Sequence, residues 1–343
     1  MTNVQKNNNG SLLEVVELTK HFSLGKGLHS ARSDTVRAVD GVSFAIGSGE
    51  VFGLVGESGC GKSTIGRMLV QLTQPSSGEI FFQGRSLASM TSTERRALKK
   101  SLQIVFQDPF SSLNPRMRIG AIISEPMRIA GGFSREAIDA RVTDMLDRVG
   151  LAPSSVDRFP HEFSGGQRQR IAIARALALH PKLLVGDECV SALDVSVKLQ
   201  ILELLAELTK TFGVTMLFIS HDLAAVQYLC DRIAVLYLGV VVEVAKKEEF
   251  FRNPLHPYSQ ALLSAVPTVS PRDIERIVLK GELPSPVDPP SGCRFRTRCW
   301  MAEKICAEKV PSLRDVGDGR RAACHFVPDH IGTPPRAVLS NVG

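Results

Sequence analysis

Apolar and polar positions fall in short strand-like blocks near the start of the chain and regroup into helical patterns further on. Residues 12–18 and 41–46 carry β-rich apolar patterns on either side of a connection, 24–35, that is rich in Gly, Ser and Lys. Residues 50–55 form a buried-strand run that passes straight into glycine-rich 56–64, and 65–71 continue as a helix. Further strands are predicted at 80–83 and 101–106. From about 108 to 179 the texture is helical, as in 138–149, with Gly and Pro between segments. Strands return at 183–185 and 215–219 around an amphipathic helix over 196–211, and 233–242, broken by Gly239, reads as two short strands and a turn. From Asn253 proline density rises and periodicity weakens. The expected layout is an α/β domain over 1–252 with a helical subdomain inserted at about 108–180, followed by a small irregular region over 253–343. No internal repeat is seen, so one such core is expected per chain.

Composition narrows the partners. With 343 residues, 43% apolar and 22% charged, the chain has ample material for a core. The net charge of +6 is mild, no run of five basic residues occurs, and three Tyr and one Trp leave little to stack on bases, so nucleic acid is not favoured. A surface facing acidic lipid or an acidic partner fits equally, as does a plain solvated face. No apolar run reaches the roughly 20 residues of a membrane span, and the polar, Asn-rich first ten residues lack a signal-peptide core. A cytoplasmic location is expected, with any membrane role supplied by partner chains.

Three constellations carry chemistry. Gly56-Glu57-Ser58-Gly59-Cys60-Gly61-Lys62-Ser63, followed by Thr64, fits the phosphate-loop pattern at every fixed position and sits between a strand and a helix. Its glycines let backbone N–H groups wrap phosphates, Lys62 is placed to reach the β- and γ-phosphates, and the Ser63 hydroxyl to bind Mg²⁺. Cys60 contributes mainly its backbone. The apolar run ending in Asp187-Glu188 offers one acid to hold Mg²⁺ and one to polarise an attacking water. Ser164-Gly165-Gly166-Gln167 after Phe163 puts two glycines at a helix start, where N–H groups and the helix dipole favour an anion. Plain capping by Ser164 suits the same residues.

In this order the motifs resemble an ATP-binding subunit of ABC transporters, a P-loop NTPase fold, over residues 12–245. Phe163–Gln167 is similar to the family's signature, with Phe where Leu is commonest. The resemblance implies that Gln107, after the strand 101–106, is the Q-loop residue touching Mg²⁺ and water at the junction with the helical insert. It implies that His221 is the switch histidine contacting the γ-phosphate, that Ser191-Ala192-Leu193-Asp194 is the D-loop with Asp194 at a dimer interface, and that Phe22 stacks on adenine; a core Phe is the alternative. Glu188 becomes the catalytic base. Two ATPase subunits would pack head to tail, each lending Ser164, Gly165, Gly166 and Gln167 to the other's ATP. Cys189 departs from the family, standing where Pro usually follows the catalytic Glu, and a looser turn is expected there.

The segments FQDPFSSLNPRM (106–117), NPLHPYSQALLSAVP (253–267) and GELPSPVDPP (281–290) look like the ATP-binding subunits of dipeptide/oligopeptide permeases, closer to the second of that system's two ATPase types. The resemblance implies a homologous second ATPase subunit, two transmembrane permease subunits, an external binding protein, and a peripheral site on the cytoplasmic face of the cell membrane. Systems for nickel, opines, glutathione or saccharides use similar ATPases, and a soluble ABC-type ATPase of DNA repair or translation is a rival of another class. Four of the seven cysteines, Cys293, Cys299, Cys306 and Cys324, are spaced C-x5-C-x6-C-x17-C. Four thiolates suit Zn²⁺ or an iron–sulfur cluster, or are free thiols. Related permease tails imply a [4Fe–4S] cluster here, with Arg294, Arg296 and Arg298 offsetting its charge and His325 beside it rather than ligating.

Overall fold

The computed structural model describes residues 10–23, 35–266 and 276–328. Residues 1–9 of the polar start, 24–34 of the first connection, and Pro267 lie outside them. In chain order the elements begin β1 (Ser11–Ser23), β2 (Thr35–Gly47), β3 (Val51–Val55), α1 (Lys62–Leu69), β4 (Ser77–Phe82), β5 (Arg85–Ser86), α2 (Ser92–Leu98) and β6 (Leu102–Val105). The helical insert follows: α3 (Pro109–Ser112), α4 (Ile119–Ala130), α5 (Arg135–Arg148) and α6 (Gly165–Leu177). Then come β7 (Leu183–Asp187), α7 (Val195–Phe212), β8 (Thr215–Ser220), α8 (Leu223–Leu229), β9 (Arg232–Tyr237) and β10 (Val240–Lys246). The last elements are α9 (Lys247–Arg252), α10 (Pro257–Ser264), α11 (Lys304–Glu308), β11 (Arg314–Asp315) and β12 (Arg321–Ala322).

Two sheets result. The smaller is antiparallel, ordered β2-β1-β4-β5, and the larger runs β11-β12-β10-β9-β3-β8-β7-β6, with β9, β3, β8, β7 and β6 parallel. The strands of the parallel part are apolar throughout because both faces are covered. Alternation still operates within them. Val51, Val55, Met216, Phe218, Ile233 and Val235 enter the core under the helices. Phe52, Leu54, Leu217, Ile219, Ala234 and Leu236 point the other way, against the small sheet and α1. Phe44 and Phe52 stack across that layer with centroids 5.3 Å apart. The helix α7 shows why the pattern over 196–211 was readable: Ile201, Leu204, Leu205 and Leu208 form one buried stripe, and Gly213 closes the helix in the left-handed region at φ 61°.

The region after 252 is joined to this core. β12 pairs with β10 through Glu243 and Ala322, and Tyr258 and Phe295 belong to the main apolar cluster. Glu243 is fully buried; its carboxylate accepts N–H bonds from Leu255 (3.0 Å) and His256 (2.8 Å) and lies 3.5 Å from the Arg320 guanidinium. A buried charge pair needs such extra bonds to offset desolvation. Burial pushes the Glu243 carboxyl upward against those partners.

His256 caps α10, its Nδ1 accepting the Tyr258 N–H at 3.1 Å, and burial pushes the imidazole down to about 3. The folded protein therefore keeps His256 neutral where the unfolded chain protonates it. Its contribution is intact above the unfolded value near 6.5 and is lost as pH falls towards about 3, at about 1.4 kcal/mol per pH unit. His256→Asn retains a capping acceptor but removes the proton linkage. Between pH 6.5 and 5 wild type should lose about 2 kcal/mol more stability than this variant, read by urea denaturation at each pH.

Candidate functional site

Parallel strands that start together also end together, and their carboxyl ends define one edge. Val55 pairs with Ser220, Asp187 with Ile219, and Val105 with Gly186. The residues following each strand are therefore neighbours: the phosphate loop after β3, Gln107 after β6, Glu188 after β7 and His221 after β8. Ligands of open α/β sheets bind at such an edge.

The loop is shaped by tight backbone packing. Gly61 has φ 108°, a value L side chains avoid, and a Cβ there would collide with the Ala38 carbonyl oxygen. A Cβ on Gly56 would meet the Leu236 carbonyl oxygen in the same way. Lys62, only 4% exposed, turns back so that its ammonium donates to the carbonyls of Gly56 (2.8 Å) and Glu57 (3.0 Å). Ser58 and Gly59 are exposed at the crest, whereas Cys60 is buried and burial raises its thiol pKa. The Ser63 hydroxyl donates to Asp187 Oδ1 at 2.6 Å. Burial raises the Asp187 carboxyl, and that hydrogen bond opposes the shift. Thr64 is half-buried in the first turn of α1.

Glu188 lies between two candidate partners, 3.8 Å from Lys62 Nζ and 3.3 Å from His221 Nδ1. It has φ 50°, unusual for a residue with a Cβ. Its own N–H donates to Ile219 O at 3.0 Å, and its carbonyl accepts from the Ser191 hydroxyl at 2.9 Å. Two fixed ends hold that conformation. Cys189 is wholly buried against Gly186, and burial pushes its thiol up to about 12. Asp187, Glu188, Lys62, Ser63 and His221 are thus brought together.

The remaining candidates are arranged around them. Gln107 is exposed just beyond β6, and the adjoining Asp108 caps α3 by accepting the Phe110 and Ser111 N–H groups. Ser164 caps α6: its hydroxyl accepts the Gln167 N–H (3.3 Å), while Gln167 Oε1 accepts the Ser164 N–H (3.0 Å). The capping alternative is therefore realised in the single chain. Gly166 is buried against Val197, Gly165 is partly exposed, and Asp194 is exposed before α7. Phe22 is 41% exposed, which removes the core-Phe alternative. It pairs with Val36, two residues from the Ala38 carbonyl that faces Gly61.

The cysteine region differs from expectation. Cys299 is pushed up to about 11 by burial and by the nearby Cys324, Cys293 and Cys306, and Cys293 and Cys324 are raised mainly by burial. The thiols are neighbours, yet among the described residues no three His, Cys, Asp or Glu side chains are placed to hold one metal ion. As arranged, they do not form the assembled ligand set that the resemblance implies. The arginines do not turn to the thiols either. Arg298 pairs with Glu57, Arg294 with Asp40, and Arg296 donates to Ser291 O at 2.9 Å. His325 bonds the Lys309 carbonyl at 3.0 Å.

Two contacts at the site were missed from sequence. The Arg168 guanidinium lies 4.1 Å from the Phe110 ring centroid, joining the Gln107 segment to the start of α6. The Arg298–Glu57 pair joins the C-terminal region to the phosphate loop. A signal existed for the second: three arginines between Asp288 and Glu303 have no acid within that stretch.

The fold and the site define a P-loop ATPase of the ATP-binding-cassette class. The family model described as ABC transporter matches residues 39–191, and that described as Oligopeptide/dipeptide transporter, C-terminal region, matches 242–306. The chain is 49% identical to the oligopeptide transport ATP-binding protein AppF of Bacillus subtilis over 93% of its length and 98% of AppF. It is 52% identical to YkfD of the same organism over 92% of this chain and 95% of YkfD. Among solved structures, a dimeric post-hydrolysis state of the cassette MJ0796 with ADP and Pi superposes with TM-score 0.61 at 27% identity, over 68% of this chain and 98% of that one. The cbiO1 subunit of the Clostridium perfringens cbiONQ ABC transporter gives the same score at 30% identity, over 71% of this chain and 91% of that one. The chain belongs to the oligopeptide/dipeptide transporter family of ABC ATP-binding proteins.

The loop's packing is directly testable. Gly61→Ala meets both a forbidden φ and a carbonyl collision and should cost more than about 3 kcal/mol. Gly59→Ala, with positive φ but open space around it, should cost about 1 kcal/mol. Chemical denaturation of both variants without nucleotide checks the ranking; equal costs would contradict the packing described.

Proposed function

We propose that this chain is the ATP-hydrolysing subunit that energises import of di- and oligopeptides through a membrane ABC transporter. The observation that carries the reading is Glu188, held between Lys62 and His221 at the edge where the phosphate loop and Asp187 meet. The loop amides and Lys62 bind the phosphates. Glu188 takes the proton of the attacking water, and His221 orients Glu188 and the γ-phosphate. Ser63, Asp187 and Gln107 offer the hard oxygen donors that Mg²⁺ prefers and would hold it; bound with ATP, it neutralises charge on the phosphates. Phe22 supports adenine.

Ser164, Gly165, Gly166 and Gln167 act on ATP held by a second, homologous subunit, with Asp194 at the shared interface. Dimeric cassettes of similar fold support that pairing. Gln107, at the root of the helical insert, relays closure to two membrane-spanning subunits, and an external binding protein supplies the peptide. No helix among the described residues is long and apolar enough to cross a membrane, which suits a peripheral subunit on the cytoplasmic face. For the four cysteines the reading is a [4Fe–4S] cluster with zinc as the alternative; it rests on their number and spacing in the sequence, since as arranged the thiols do not converge on one ion.

In the complex assembled with its partner chains, Glu188→Gln should retain ATP binding while single-site hydrolysis falls at least about 100-fold. Unimpaired hydrolysis by that variant would remove the role given to Glu188. Anaerobic iron and sulfide analysis of wild type against Cys299→Ser tests the cysteines; an iron-free wild type overturns the cluster.

A further inference from the structure

We propose that Arg298, in the cysteine-containing C-terminal region, is a positioning residue of the ATP site that fixes the phosphate loop through a two-pronged bond to Glu57. The two residues are 241 positions apart, yet Nη1 donates to Oε2 at 2.8 Å and Nη2 to Oε1 at 3.2 Å. The Arg298 side chain is 10% exposed and that of Glu57 29%, so water screens the pair only in part. Glu57 is held at every polar group it has. Its N–H donates to the Tyr258 hydroxyl at 2.8 Å, its carbonyl accepts from Lys62, and its carboxylate takes Arg298. The residue that orients the Lys62 ammonium is thereby tied to the C-terminal region on two sides.

The backbone of Arg298 is anchored as well. Its N–H donates to Phe295 O at 3.0 Å, and the Phe295 ring lies 5.2 Å from Tyr237 and 5.4 Å from Tyr258 between centroids. The same turn has a second grip on the loop's surroundings. Arg294 bonds the Leu238 carbonyl and Asp40, and the neighbouring Gly239 N–H donates to Cys60 O at 2.9 Å. The C-terminal region therefore bears on the phosphate loop from Glu57 at one end and Cys60 at the other. A loop held this way binds phosphate equally in ground and transition states, so loosening it acts on ATP affinity more than on the chemical step.

The inference rests on the loop being the ATP site. That premise is tested separately: wild type should bind ATP and Lys62→Ala should not, in the complex with its partner chains. Given that, Arg298→Ala should raise the KM for ATP about tenfold with kcat changed less than about twofold. Arg298→Lys, which keeps the charge but not the fork, should raise it about threefold and guards against misfolding of the first variant. Glu57→Gln should resemble Arg298→Ala, and the double variant should be no worse than either single one. A KM within about twofold of wild type in a folded Arg298→Ala protein overturns the proposal, as does a fall in kcat at unchanged KM, or single penalties that multiply in the double variant.

Discussion

The Lys62 ammonium is the constraint around which the site is arranged. It is almost wholly out of water, and a buried cation must be matched by acceptors. The acceptors are the loop's own carbonyls at Gly56 and Glu57, which requires the chain to curl over the start of α1. That curl needs glycine where the backbone passes Ala38 and Leu236, and it needs those two strands to be where the sheets put them. An incoming phosphate competes for the same ammonium. On the proposed reading its advantage is charge, because phosphate oxygens accept more strongly than neutral carbonyls; Glu188 lies 3.8 Å from the same ammonium.

Sequence carried the site as far as its determinants are local. The phosphate loop and Asp187-Glu188 each lie in one short stretch at a strand end, and parallel strands bring strand ends together without further instruction. The helix over 196–211 was legible because its apolar stripe repeats at helical spacing. Phe22 was ambiguous because periodicity does not say which face of an end residue is covered; its exposure emerges only from the pairing of β1 with β2. The cysteines illustrate the opposite limit. Spacing gave four donors, but where each thiol points depends on the packing of Phe295 and Val327 around them, and spacing contains no information on that. Arg298 and Glu57 were each visible in the sequence, and the pairing was not.

The region after 252 earns its place by solving two problems of the core. An antiparallel strand such as β10 at the end of a sheet leaves unpaired backbone groups, and β12 covers part of that edge. Glu243, inward-facing on β10, cannot be buried alone; Arg320 and the N–H groups of Leu255 and His256 compensate it. Both debts are met from the C-terminal side. Removing that region would therefore expose an edge and strand a buried carboxylate, besides releasing Glu57.

Capping and anion binding, which looked like rival readings of Ser164-Gly165-Gly166-Gln167, are compatible once the donors are followed. A helix start leaves its first N–H groups without intrahelical acceptors. The reciprocal bonds between Ser164 and Gln167 use the N–H groups of those two residues and leave those of Gly165 and Gly166. Gly166 is explained within the chain, since a Cβ would run into Val197. Gly165 is not. Its φ is ordinary, and a Cβ would meet only Phe110 and Leu193 at normal contact distances of 3.9 and 4.0 Å. Nothing among the described residues calls for a bare backbone there. A bare, partly exposed amide at a capped helix start suits close approach by an outside anion, the role proposed above for Ser164, Gly165, Gly166 and Gln167.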